Sequence, residues 1–136
     1  MKEINSNIIQ PSMKELLSFA TSVKNVEREY ELYIHSPVRR LYGYDFEDNV
    51  IGCIGIELLS SKRSEIKHIA VSTKHRGEGI GSKMISFIRD KHSLSCISAE
   101  TDKDAVNFYK NFGFNIISLG EKYPGVERFQ CILENK

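Results

Sequence analysis

Residues 65–82, Glu-Ile-Lys-His-Ile-Ala-Val followed by Ser-Thr-Lys-His-Arg-Gly-Glu-Gly-Ile-Gly-Ser, constrain this chain more than any other stretch. They read as a strand, a basic loop and the start of a helix. Gly77, Gly79 and Gly81 remove Cβ atoms from the turn just where Ile80, Met84, Ile85 and Ile88 begin a helical pattern, so backbone N–H groups can crowd against an anion. The first turn of a helix leaves four N–H groups unbonded and carries about +0.5 of an elementary charge. A diphosphate suits such a site. Arg76 adds a fixed positive charge beside the first glycine, and Glu78, Ile80 and Ser82 complete the candidate cradle.

Two other glycine-rich loops do not fit. A dinucleotide fold wants G-x-G-x-x-G and several repeated βαβ units, whereas this loop is G-x-G-x-G and only 55 of the 136 residues follow Gly81. A P-loop, G-x-x-x-x-G-K-[ST], fails because Gly81-Ser82-Lys83 reverses the serine and lysine and Arg76 stands where the first glycine belongs. The pattern that fits is R-x-x-G-x-G after a strand, met by Arg76, Gly79 and Gly81. It resembles the acetyl-CoA pyrophosphate loop of the GNAT superfamily of N-acetyltransferases. Two further blocks agree: residues 65–71 resemble the family's fourth strand, and Ala105-Val106-Asn107-Phe108-Tyr109-Lys110-Asn111-Phe112-Gly113-Phe114 is similar to its A-x-x-F-Y-x-x-x-G-F segment. Three blocks in order are far more specific than the glycines alone. By them the chain is identified as a member of that superfamily, of the small bacterial type.

A length of 136 residues predicts one domain, residues 1–136, burying somewhat under ~70% of its unfolded surface. With 40% hydrophobic and 27% charged residues and a formal charge of +1, composition supports neither a nucleic-acid nor a membrane partner. Cys53, Cys96 and Cys131 are odd in number and widely spaced, which is neither a disulfide framework nor a zinc site; they read as buried, reduced thiols, and no metal is expected. The N-terminus lacks the apolar core of a signal peptide and no apolar run approaches the ~18 residues of a membrane span, so a cytoplasmic protein is expected. A homodimer stays open.

Along the chain, Ile8-Ile9-Gln10 reads as a short first strand, and Pro11-Ser12 opens a helix with Met13, Leu16, Leu17, Ala20 and Val23 on its apolar face. A second helix covers residues 26–33. Residues 39–46 and 49–59 read as a hairpin turning at Glu47-Asp48-Asn49. A strand over 95–101 precedes a helix capped by Thr101 or Asp102, with Ala105, Phe108, Tyr109 and Phe112 on one face and Gly113 closing it. Residues 115–119 and 126–133 form the last strands around Tyr123-Pro124-Gly125. This order suggests a mixed α/β sheet flanked by helices. The resemblance implies the acyl-CoA N-acyltransferase fold: an α+β arrangement with a mostly antiparallel sheet whose fourth and fifth strands splay apart around the pantetheine arm.

The family reaction moves an acetyl group from acetyl-CoA directly to an amine, without an acyl-enzyme. An alkylammonium of pKa ~10.4 must be deprotonated, which costs roughly 4 to 5 kcal/mol at pH 7. Glu65, the only carboxylate of the central strand, matches the position where some members place a general base; a strand-end ion pair with Lys62 or Arg63 is the structural alternative, and His68 is the competing base. The resemblance puts the N–H of Ile69 beside the thioester carbonyl at a bulge and pairs Ala70 and Val71 with pantetheine. Tyr109 matches the tyrosine near the departing sulfur, against a purely core role among Phe108 and Phe112; Asn107 is a further contact to the cofactor arm. Asp102 stands where the family often has asparagine. For the acceptor pocket, Tyr42, Tyr44, Glu57, Glu127 and Arg128 are candidates. The readings from other classes are a catalytically silent CoA-binding module, and a nicotinamide-dependent enzyme drawing on Glu100, 19 residues after Gly81.

Overall fold

The structure, a computed structural model, describes residues 1–134. Seven strands form one sheet in the order β1-β2-β3-β4-β5-β7-β6, where β1 is Lys2–Glu3, β2 Arg39–Phe46, β3 Asn49–Ser60, β4 Arg63–Val71, β5 Cys96–Asp102, β6 Asn115–Tyr123 and β7 Val126–Glu134. Only β4 and β5 run parallel; every other pairing is antiparallel. The helices are α1 (Pro11–Ala20), α2 (Val26–His35), α3 (Ile80–Lys91) and α4 (Val106–Phe112). None of the described helices is long and apolar enough to cross a membrane.

Alternation along the strands divides the apolar residues between two cores. Leu41, Cys53 and Ala70 face α1 and α2, where Met13, Leu16, Leu17, Val26 and Tyr30 are buried. Their chain neighbours Tyr42 and Ile54, with Ile66, face α3 and α4, against Ile80, Met84, Ile85, Ile88 and Tyr109. Positions 51–56 of β3 are buried without interruption, as a strand covered on both faces should be. Cys53 and Cys131 are buried thiols and Cys96 is half-buried; burial pushes the Cys53 thiol up to about 12.

Several expectations need correction. The first strand is Lys2–Glu3, paired with Gly43 and Tyr42, and not residues 8–10. Pro11 occupies the first turn of α1, and Gln10 before it is extended at φ −75°, so residues 8–10 lead into a helix start instead of a ladder. Val23 lies beyond the end of α1, in the 3₁₀ turn Val23–Asn25, and is 75% exposed. The β2–β3 hairpin turns on Glu47 and Asp48, both at positive φ, the two-residue form whose twist matches its strands. Neither Thr101 nor Asp102 caps α4, whose N-cap is Ala105 with no side-chain cap bond; Asp102 Oδ1 instead accepts the backbone N–H groups of Asp104 and Ala105, closing the turn before the helix. Gly113, at φ 122°, ends α4 as expected.

The feature that makes a site is a split in the sheet. β4 and β5 pair only from Arg63↔Cys96 to Ile66↔Ala99. Beyond that, β4 follows β3 to Val71 and β5 follows β7 to Asp102. One extra residue, Lys67, bulges from β4 between the partners of Ile56 and Gly55. The bulge was expected at Ile69 and falls two residues earlier, at the point of parting.

α2 is seated on β3 through Gly55, where any Cβ would collide with the Tyr33 hydroxyl. Overpacking of this kind costs typically 1 to 3 kcal/mol. Gly55→Ala should therefore lower the free energy of urea unfolding by about that amount; an unchanged midpoint and slope would mean that Tyr33 does not rest on this strand.

Candidate active site

The loop between β4 and α3 bends through a 3₁₀ turn, Thr73–His75, and two left-handed glycines, Gly77 and Gly79, each at φ 80°. A Cβ at either would touch nothing within 4 Å, so glycine serves there for its conformation and the open space beside it. Gly79 is the N-cap of α3 and its carbonyl accepts the first helical bond, from Lys83. The N–H groups of Ile80, Gly81 and Ser82 therefore lack helical acceptors, at the positive end of a 12-residue helix. Gly81 differs from its neighbours. Its missing Cβ would lie 2.9 Å from the Phe108 ring, so this glycine lets α4 pack against the first turn of α3.

Arg76 is exposed at the rim of the loop. Its Nε donates to the Val71 carbonyl at 3.0 Å and its guanidinium lies 5.1 Å from the centroid of the Phe19 ring, which fixes the charge while leaving its outer N–H groups free of these contacts. Phe19 lies on α1 outside the apolar face of Met13, Leu16 and Leu17, and is exposed.

These elements enclose a cleft of about 590 Å³ running from the loop into the split between β4 and β5. Ile69, Ala70, Val71, Arg76, Gly77, Gly79, Ile80, Gly81, Ser82 and Tyr109 all line it. Because β4 loses its β5 partner after Ile66, the backbone of residues 67–71 presents a strand edge to the cleft. Three expected residues are not brought there. Glu78 turns to His75, 3.4 Å away, and Asn107 is exposed on α4, whose cleft side is formed by Phe108 and Tyr109, with Ala105 just before the helix. Glu65 is the third. The pleat points it away from Ile66 into a second cavity of about 820 Å³ on the opposite face, and its carboxylate lies 3.1 Å from Lys67 Nζ.

Tyr109 is 4% exposed, edge-on to Phe108 and Phe114. Burial pushes its phenol well above the ordinary tyrosine value, with the neighbouring Cys131 adding to the shift, so the hydroxyl keeps its proton. Among the described residues it has no side-chain hydrogen-bond partner, and it faces the cleft as a free donor.

His68 is 6% exposed and its ring is engaged on the α2 side: Nδ1 meets the Tyr33 hydroxyl and Nε2 lies 3.5 Å from Glu29. Arg39 joins the same network, 3.5 Å from Glu29 and 3.3 Å from Glu57. Of the acceptor candidates, Tyr42 is a core residue hydrogen-bonded to His92 at 2.8 Å, Tyr44 packs against the same core, Glu57 belongs to the Arg39 network and Glu127 accepts from Ser118. Arg128 alone lines the cleft. Sequence reasoning missed the place of Lys67, Glu100 and Thr101 at the split; the one available signal was the apolar/polar alternation of Ala99, Glu100 and Thr101 at a strand end.

Comparison with known proteins agrees with this architecture. The model of the acetyltransferase (GNAT) domain matches residues 37–116. An uncharacterised N-acetyltransferase of Bacillus methanolicus is 32% identical over 80 residues, 59% of this chain, and the matched part spans 61% of that relative's length. A GNAT family acetyltransferase from Elizabethkingia anophelis, solved with acetyl-CoA bound, superposes with a TM-score of 0.74 at 19% identity over 98% of this chain and 95% of its own. The aminoglycoside 6'-N-acetyltransferase from Enterococcus faecium superposes at 0.77, with 14% identity over 98% and 97%.

The His68 network ties stability to pH. Burial holds the His68 pKa below the ordinary 6.5, against the pull of Glu29 and with help from Arg39 and Lys67. The unfolded chain therefore takes up the proton first, and the contribution of neutral His68, complete above about pH 6.5, is lost as pH falls toward the folded value. Urea unfolding from about pH 8 down to about 5.5 should show stability falling below about 6.5. His68→Gln should flatten that slope, leaving the smaller part due to His92, whose pKa burial also lowers. An equal slope in the variant would exonerate His68.

Proposed function

Because the chain belongs to the acetyltransferase (GNAT) family, we propose that it is an acetyl-CoA-dependent N-acetyltransferase that moves the acetyl group directly to a primary amine. The observation that carries this reading is the unpaired N-terminus of α3 opening onto the same cleft as the protonated Tyr109, at the two ends of a bare strand edge. The diphosphate is held by the N–H groups of residues 80–82 and by Arg76, with the glycine conformations at Gly77 and Gly79 keeping the approach clear. The pantetheine arm pairs main chain to main chain with Ile69, Ala70 and Val71. A main-chain site of this kind is indifferent to the side chains present, which is why an apolar strand suffices.

In the reaction the amine nitrogen attacks the acetyl carbon, the C–N bond forms, the C–S bond breaks, and the sulfur leaves as the thiol of CoA. The Ile69 N–H supports the negative charge on the carbonyl oxygen. Tyr109 donates a hydrogen bond to the departing sulfur; since its phenol stays protonated, it stabilises the thiolate, which takes its final proton from solvent. Glu65, on the opposite face, takes the proton of the amine through water. Its carboxylate lies 3.1 Å from Lys67 Nζ, beside the split. The acetyl-CoA held by the Elizabethkingia anophelis protein supports the donor.

The test is release of CoA thiol by the purified protein over a broad amine panel. Binding of acetyl-CoA without release for any amine would leave a silent binding module as the account. Arg76→Ala should weaken acetyl-CoA binding by about 1.5 to 3 kcal/mol, and Gly79→Val, which puts a β-branched side chain at a left-handed position beside the diphosphate, should weaken it further; calorimetric affinities unchanged in both folded variants would sink this placement. Glu65→Gln should lower turnover about 10²-fold near neutrality, recovering partly at high pH as free amine accumulates. Tyr109→Phe should lower turnover but keep the rising limb of the pH profile. A Glu65→Gln protein with an unaltered rate and profile removes Glu65 from the proton route.

A further inference from the structure

The two cavities meet at one side chain. Glu100 follows Ala99, the last residue of β5 paired with β4, and it lines both the cleft and the cavity on the opposite face. Alternation turns it, like Glu65 and Ser98, toward that second cavity, whose walls carry the apolar side chains of Leu59, Leu119 and Ile132. Its carboxylate is met by Arg128 Nε at 3.1 Å and by Lys122 Nζ at 3.4 Å from each oxygen. Desolvation opposes its ionisation, but the hydrogen bonds from Arg128 and Lys122 outweigh it and hold the acid below the usual carboxylate range. The two cations are not equivalent: the Arg128 side chain is 29% exposed and that of Lys122 is 53% exposed, on the adjoining strand β6. An ion pair so exposed contributes about 0 to 1 kcal/mol, and a second cation can displace it readily.

An alkylammonium approaching the split must shed water and needs an anion to do so. Glu65 is matched to Lys67 on its own strand, whereas Glu100 stands where the two cavities join. We infer that Glu100 receives the ammonium group of the acceptor in exchange for Lys122, and that the acceptor is a primary amine on an apolar stem lying against Leu119 and Ile132. This rests on the acetyl-transfer reading. Glu65 pairs across the strands with Ser98, two residues from Glu100, so the carboxylate that holds the ammonium and the one that takes its proton line the same cavity from neighbouring strands.

The probe is 2-phenylethylamine, followed in two ways: binding by NMR titration of the protein saturated with CoA, and release of CoA thiol from acetyl-CoA. Glu100→Gln should raise the Kd and KM for the amine about tenfold or more and leave the KM for acetyl-CoA within about twofold. Lys122→Met should lower the KM for the amine. Amine binding that depends on Glu100 without thiol release would overturn the transfer reading and leave this inference standing. Thiol release with an amine KM unchanged by Glu100→Gln would overturn the inference and leave the transfer reading standing. Equal damage to amine and acetyl-CoA binding would show a structural role only, and a wild-type protein that binds no 2-phenylethylamine would rule out the acceptor class.

Discussion

The molecule depends on a ladder that stops. Parallel pairing between β4 and β5 ends at Ile66 and Ala99, and each strand then keeps only its outer neighbour. A sheet interior does not normally leave main-chain donors and acceptors without partners, because an unpaired buried amide or carbonyl loses its hydrogen bond to water without replacement. Here the split opens directly into a cleft, so the edge stays accessible. The bulge at Lys67 lies at the point of parting, and the two cores on either side hold the diverging strands in place. Everything assigned to the site lies along this split or at its ends.

The cost of such an opening falls on the neighbours of β4. β3 is buried on both faces and carries β4 as far as Val71, while the Tyr33–His68–Glu29–Arg39 network fastens α2 beneath the same segment. Burying that many polar groups is tolerable because each has a partner; removing one leaves the others desolvated and unpaired. The histidine that the sequence offers as a rival base also lines the cleft, with its ring held in this network. Its ring nitrogens face Tyr33 and Glu29.

How much could be read in advance follows from the range of the forces involved. The loop, α3 and the aromatic face of α4 are local patterns: positive-φ glycines, 3.6-residue periodicity and a C-terminal glycine act within about ten residues, and all were legible. The hairpin at Glu47 and Asp48 was legible for the same reason. Residues 8–10 were misread because three apolar or polar residues before a proline carry no period, while Lys2 and Glu3 became a strand only through pairing with Tyr42 and Gly43 far along the chain. Glu65 and Asn107 matched a motif by position, but which cavity a side chain enters depends on the pleat, the bulge and the helix face together. For Glu100 only the alternation at the end of β5 was visible in the sequence, since the junction it occupies is made by strands brought together by folding.

The contact between Gly81 and Phe108 carries a consequence for scale. It packs the first turn of α3 against α4, and α4 also carries Tyr109, so the proposed diphosphate end of the cleft and the hydroxyl at its other end are joined through one close contact. The span between those two ends is a ruler. On the proposed reading, an acyl carrier whose arm is shorter or longer than that span would satisfy one end but not both, so the donor would be selected by length before any side chain reads the acyl group it carries.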